Sequence, residues 1–295
     1  MNLAVASGKG GTGKTTVTAS LCAVWDGPYI AMDLDVEEPN LHLFLQPEIQ
    51  GSAKALLEVP RLDEDRCDLC GQCSDVCQFK AISLLGDVLL TFPEMCHGCA
   101  ACLEVCPNGA LSPDHRELGE VIWGRAGEAG FIMGRLRVGE AMSPPLMRQV
   151  KKHLAQMQPE WGGDLLIDCP PGVSCPAVNA VMDADLILLV SEPTPFGLYD
   201  FQLAWEAFGP LGKPMGAVIN RAGLGDDKLQ AFCREKGIPI LAELPYSRAV
   251  AVAYSQGLVV ASASPELHQA FGELAGRCRQ LLAAEAAQGK EAAHA

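Results

Sequence analysis

The run Gly8-Lys9-Gly10-Gly11-Thr12-Gly13-Lys14-Thr15 constrains this chain more than any other segment. It directly follows the apolar stretch Leu3–Ala6 and opens the helical stretch Thr15–Val24. The pattern is GxxxxGK(S/T), whose glycines let backbone N–H groups close around a phosphate. The helix N-terminus beneath the loop adds partial positive charge. Lys14 is expected to reach the β- and γ-phosphates, and Thr15 to hold Mg²⁺. Gly8, Lys9, Gly10, Gly11, Thr12, Gly13 and Thr16 complete the expected ATP/ADP cradle. A strand, a tight loop and a helix in that order imply a parallel sheet with crossover helices.

Further apolar runs support that architecture: Tyr29–Met32, Leu165–Ile167, Leu186–Val190, Met215–Ile219 and Ile240–Leu244. Short runs that are apolar throughout read as strands buried on both faces. Helical patterns at Thr15–Val24 and Asp200–Phe208 lie between strands, and Pro265–Ala284 suits a closing helix. The expected fold class is therefore α/β, a doubly wound, mainly parallel sheet. Two of the strands end in carboxylates, Asp33-Leu34-Asp35 and Asp168, where the C-terminal edge of such a sheet faces its ligand crevice. Asp168 at the end of Leu165–Ile167 has the position of a Walker B acid in the Mg²⁺ shell.

Residues 61–113 break the strand–helix rhythm and hold eight of the thirteen cysteines. Cys67-x2-Cys70-x2-Cys73-x3-Cys77 is repeated as Cys96-x2-Cys99-x2-Cys102-x3-Cys106-Pro107. Two such runs match the bacterial ferredoxin arrangement, in which three cysteines of a run hold one 4Fe–4S cluster and the fourth crosses to the other. One cluster would take Cys67, Cys70, Cys73 and Cys106, and the second Cys96, Cys99, Cys102 and Cys77. Zinc is the alternative occupant, because Cys₄ zinc sites also use CxxC pairs. The first run has Gln78 where the second has Pro107. The expected domains are a P-loop ATPase over 1–60 and 114–286, a small α+β ferredoxin-like module over 61–113, and a flexible tail over 287–295. Residues 114–145, with several glycines, read as a return segment.

The form Lys9-Gly10-Gly11-Thr12-Gly13-Lys14-Thr15, with Asp33-Leu34-Asp35 and Asp168-Cys169-Pro170-Pro171-Gly172, resembles the deviant-Walker ATPases of the MinD superfamily. That superfamily includes Mrp, MinD, ParA and the nitrogenase iron protein. The resemblance implies a homodimer closed around ATP, with Lys9 reaching the partner copy's nucleotide. It implies that Asp35 orients the attacking water beside Mg²⁺, that Asp33 supports the ion through water, and that the Gly172 N–H senses the γ-phosphate. By the same resemblance Asn220 and Arg221 would meet adenine, and Pro245 and Tyr246 would bracket it. Cys175 lies seven residues after Asp168, at the offset of a cluster ligand in the nitrogenase iron protein. Two copies facing one another in the dimer would make a transient metal or cluster transfer site. The intervening segment 114–145 holds no second cysteine to join it.

A formal net charge of −14 disfavours nucleic acid and anionic lipid as partners. No apolar stretch reaches the ~20 residues that cross a bilayer, and the crowded odd-numbered thiols suit a reducing cytoplasm. The expected activity is an ATPase, slow without its partner. Its cycle would couple to electron delivery to, or metallocluster assembly on, an unidentified acceptor protein. A redox-sensing nucleotide switch that positions partners without passing electrons is the second reading. An amidotransferase-type ligase ranks last, because no glutaminase Cys/His pair accompanies the fold.

Overall fold

The computed structural model describes residues 1–293. Eleven strands follow in chain order: β1 (Asn2–Ala6), β2 (Tyr29–Asp33), β3 (Glu48–Leu62), β4 (Ile82–Leu85), β5 (Val88–Thr91) and β6 (Leu111–Ala126), then β7 (Ala129–Leu136), β8 (Asp164–Asp168), β9 (Leu186–Ser191), β10 (Met215–Ala222) and β11 (Ile240–Pro245). Nine of them form one sheet in the order β11-β10-β9-β1-β8-β2-β7-β6-β3. Neighbours from β11 to β7 run parallel, whereas β7–β6 and β6–β3 are antiparallel. The mostly parallel sheet expected from the apolar runs is therefore the architecture of the body.

Period-two alternation divides each central strand between two cores. Leu3 and Val5 of β1 join Val17, Leu21, Phe271 and Leu274 from the helices Lys14–Val24 and Pro265–Ala293. Ala4 and Ala6 join Leu146, Val150, Ala177 and Phe201 from the helices Ser143–Trp161, Cys175–Val181 and Pro195–Phe208. Both faces are covered, so the central strands can be apolar at every position.

Residues 114–145, read from sequence as a return segment, instead build most of β6 and all of β7 before the helix at Ser143 begins. Their glycines are packing positions. A Cβ on Gly124 would lie 2.0 Å from the Glu48 carbonyl, and one on Gly134 2.6 Å from Val36. Glycine in a strand thus marks close approach here, not a loop.

Strands β3 and β6 form a long ribbon, paired from Glu48↔Arg125 to Leu62↔Leu111. The cysteine-rich lobe sits at its tip over residues 63–110, a little inside the 61–113 expected. It contains the β4–β5 hairpin, the short helices Gln72–Val76 and Ala101–Glu104, and two 3₁₀ turns. Its own core is slight: Cys73, Ile82, Leu89, Cys102 and Leu111. The C-terminal helix continues through part of the expected tail to Ala293; the end of that tail, residues 294–295, lies outside the described residues. No helix among the described residues is long and apolar enough to cross a membrane.

Candidate functional site

The C-terminal ends of β1, β2 and β8 converge on the phosphate loop. Gly11 and Gly13 hold φ of 78° and 97°, the left-handed region that turns successive N–H groups inward. Gly13 has a second reason to be glycine: a Cβ there would strike the Asn220 amide nitrogen at 2.4 Å. That amide donates to the Thr12 carbonyl at 2.8 Å and braces the loop. Gly8 lets the helix Pro195–Phe208 approach, since its Cβ would meet the Asp200 carbonyl at 1.9 Å. Lys14 is buried, and its backbone begins the helix Lys14–Val24.

Thr15 and Asp168, far apart in sequence, meet here. The Thr15 hydroxyl donates to one Asp168 carboxylate oxygen at 2.6 Å, and Thr18 donates to the other at 3.1 Å. Burial pushes the Asp168 carboxyl up to about 6, while Thr15, Lys14 and Thr18 pull against it. Asp33 is fully buried, and its two oxygens accept the backbone N–H groups of Asp35 and Leu41 at 3.0 Å each. Its pKa is held well above the ordinary carboxylate value by burial and by Asp168 beside it. In this arrangement Asp33 shapes the loop that carries Asp35. Asp35 faces the cavity, and burial, with Asp168 nearby, raises it to about 7.

A cavity of about 550 Å³ opens from the loop, the size of a typical small-ligand site. Gly10, Gly11, Gly13, Lys14, Thr15, Thr16, Asp35, Asn220, Arg221, Pro245 and Tyr246 line it. Arg221 also pairs with Glu192 at 2.9 Å. Sequence reasoning did not place Glu38, Asn40, Val250, Tyr254 and Phe271 at the site, and they also stand in its wall. Val250, Tyr254 and Phe271 lie on helices whose apolar spacing signals packing alone, and Glu38 and Asn40 are ordinary polar residues of a loop. Lys9 is half-buried and does not line the cavity, and the Gly172 N–H donates to the Ser7 carbonyl at 2.9 Å. Pro171 does line it. Cys175 is exposed at the start of the helix Cys175–Val181.

The lobe carries two smaller cavities. One is lined by Cys67, Cys70, Cys73 and Cys106, the other by Cys77, Cys96, Cys99 and Cys102. Each draws three cysteines from one run and the fourth from the other. The repeat extends to the backbone. Left-handed residues stand in register in the two halves: Leu69 with Gly98, Gly71 with Ala100, and Lys80 with Gly109. Leu69, Lys80 and Ala100 occupy that region without being glycine, which marks strain held for a purpose. The turns direct N–H groups at sulfur: Gly98 donates to Cys96 Sγ at 3.4 Å and Ala110 to Cys106 Sγ at 3.2 Å. Burial pushes Cys77 up, but N–H groups from Ile82, Phe79, Ala81 and Lys80 outweigh it and hold the thiol below its ordinary value. Burial raises Cys73, Cys96 and Cys102, the last to about 11. Among the described residues, no three His, Cys, Asp or Glu side chains gather closely enough for a single metal ion.

Comparison with known proteins locates the chain among nucleotide-binding folds. Residues 3–260 match the family described as the CobQ/CobB/MinD/ParA nucleotide binding domain. The uncharacterized protein MJ0578 of Methanocaldococcus jannaschii is 34% identical over 232 residues, 77% of this chain and 80% of that protein. The cell division ATPase MinD of Pyrococcus furiosus shares the fold with a TM-score of 0.57 at 21% identity, covering 95% of this chain and 98% of that one. A 54-residue stretch, 18% of this chain, is 39% identical to 9% of the indolepyruvate oxidoreductase subunit IorA of Methanothermobacter marburgensis.

Proposed function

Because the chain belongs to the CobQ/CobB/MinD/ParA nucleotide-binding family, we propose that it hydrolyses ATP and couples that cycle to two 4Fe–4S clusters held in its lobe. The observation that carries the reading is the crossed cysteine pattern. Two neighbouring cavities each have four thiols, three from one run and one from the other, on the polypeptide that carries the phosphate loop. Inward N–H groups and left-handed turns suit an anionic cluster. When bound, the clusters supply one-electron transfer. Cys67, Cys70, Cys73 and Cys106 would hold one, and Cys77, Cys96, Cys99 and Cys102 the other.

In the crevice, Lys14 contacts the β- and γ-phosphates, and Thr15 and Asp168 hold Mg²⁺. Asp35 accepts the proton of the attacking water, and Asp33 fixes its loop through the Asp35 and Leu41 N–H groups. Lys9, outside its own cavity, completes the site of a second copy, so hydrolysis proceeds in a homodimer. Cys175, exposed at the start of its helix, is the thiol from which a metal or cluster would pass to an acceptor.

Anaerobic purification with metal and sulfide counting tests the reading. About eight irons and eight sulfides per chain are expected, together with ATP turnover that responds to cluster oxidation. Stoichiometric zinc without iron overturns it. Iron with turnover that ignores cluster oxidation overturns the coupling. Clusters that modulate turnover but pass no electron to any acceptor identify a redox-sensing switch instead.

A further inference from the structure

The two cysteine cavities differ in what they lean on. The one lined by Cys77, Cys96, Cys99 and Cys102 also has Glu58 and Pro60 of β3 in its wall, so it rests on the ribbon. Gly98 makes that contact possible, since a Cβ there would sit 2.6 Å from Leu57 Cδ1. Leu57 is the register partner of Arg116 on β6. Directly opposed residues of an antiparallel pair share a face, so Arg116 stands on the face that receives the Cys96–Cys99 turn.

Arg116 is nearly buried, with a side chain 11% exposed, and its partner Glu140 is 5% exposed. The two terminal guanidinium nitrogens donate to the two Glu140 oxygens. The third donor, Nε–H, is buried without an acceptor. A buried charged donor is costly to leave unpaired, and an anion at that nitrogen would satisfy it.

Glu140 leads onward to the nucleotide crevice. Its Oε1 also accepts the N–H groups of Ala141 and Met142 at 3.1 and 3.0 Å, setting the turn before the helix Ser143–Trp161. The Ser143 hydroxyl then donates to Glu37, two residues beyond Asp35. The same loop is tied to β7 through the Leu136 N–H, which donates to the Val36 carbonyl at 2.9 Å.

We propose that Arg116 is a positioning residue for the cluster held by Cys77, Cys96, Cys99 and Cys102. Its unpartnered Nε–H stands on the ribbon face that receives the Cys96–Cys99 turn, and its pair with Glu140 links the cluster's charge to the Asp35 loop through Ser143 and Glu37. This rests on the reading that those four thiolates hold a 4Fe–4S cluster. Reduction adds one electron to the cluster, and a neighbouring guanidinium favours the more negative state. Linkage is reciprocal, so nucleotide must shift the potential by the factor by which reduction shifts nucleotide affinity.

The test is an anaerobic redox titration of the full-length protein, reduced with dithionite and followed by electron paramagnetic resonance, with and without a non-hydrolysable ATP analogue and Mg²⁺. In the wild type, nucleotide shifts one of the two potentials by about 59 mV, the equivalent of a tenfold change in affinity for a one-electron couple. Arg116→Gln lowers that potential and removes the shift. Arg116→Lys keeps a charge for Glu140, so the fold survives, and it loses the Nε–H and with it most of the shift. Ser143→Ala, distant from the thiols, leaves both resting potentials in place and removes only the nucleotide response. A wild-type protein with iron but no shift, or Arg116→Lys and Ser143→Ala with the full shift, overturns the proposal and leaves the cluster reading intact. Absence of iron from the wild type sinks both.

Discussion

The nucleotide crevice and the cysteine lobe are held in shape by different means. The crevice lies on strands whose residues are almost wholly inaccessible, such as Leu3, Val5, Leu166 and Leu188. Hydrophobic burial on both faces of the sheet fixes it before any ligand arrives. The lobe buries only Cys73, Ala81, Ile82, Leu89, Cys96, Cys102 and Ala110, three of them cysteines, and has two strands of four residues each. A unit that small rarely folds on apolar burial alone. It also carries three non-glycine residues in left-handed conformations. The crevice is held by its own packing, whereas on the proposed reading the lobe would take its shape from the clusters.

The sharpest way to break that contrast is to strip the metal. Chelation under anaerobic conditions should cut amide-exchange protection across residues 63–110 by about a thousandfold or more, because ligand binding and folding are one event in such lobes. Strands β1, β8 and β9 should keep theirs. Equal losses in both regions would erase the distinction. The converse variant is Lys14→Ala. ATP turnover should fall by about a thousandfold, the lower range for removing a cation from the transferred phosphate, while iron content stays unchanged. Loss of iron in that variant would tie the two regions more tightly than their packing suggests.

Asp35→Asn acts on chemistry alone. Turnover should drop about a hundredfold with ATP affinity retained, the scale of general-base assistance. Burial raises Asp35 to about 7, so its ionised form, and turnover with it, is lost as pH falls through that value. A flat rate between pH 6 and 8 removes the role. Asn220→Ala is the mildest change. It deletes the 2.8 Å bond to the Thr12 carbonyl and should weaken nucleotide binding about fivefold, near 1 kcal/mol. Unaltered affinity by calorimetry would show that the loop needs no brace.

How much of this was legible in the sequence follows from the same contrast. Strands buried on both faces announce themselves as apolar runs, so β1, β2, β8, β9, β10 and β11 could be read directly. The ribbon could not. β3 is largely exposed and β6 mixes exposed, half-buried and buried positions, and the two carry surface pairs such as Lys54–Glu117 and are broken by Gly51, Pro60, Pro113 and Gly124. β7, flanked by β2 and β6, was hidden by glycines whose packing only the fold reveals. The cysteine spacing was plain because eight thiols at those fixed intervals suit little besides metal ligation. The contact of Arg116 with Glu140 had no signal at all. Both are ordinary surface residue types, 24 positions apart, and only the turn after β7 brings them together. Asn220, expected to meet adenine, lines the cavity and also donates to the Thr12 carbonyl, a contact with the phosphate loop that no sequence signal announced.

The pairing of Leu62 with Leu111 has a practical corollary. Chain departs from the sheet and rejoins it at adjoining points, so the lobe hangs from a suture one strand-pair wide. Joining those two ends with a two-residue Asn-Gly turn would leave an ordinary hairpin. The cysteine-rich appendage is thus removable by design without rebuilding the sheet beneath it.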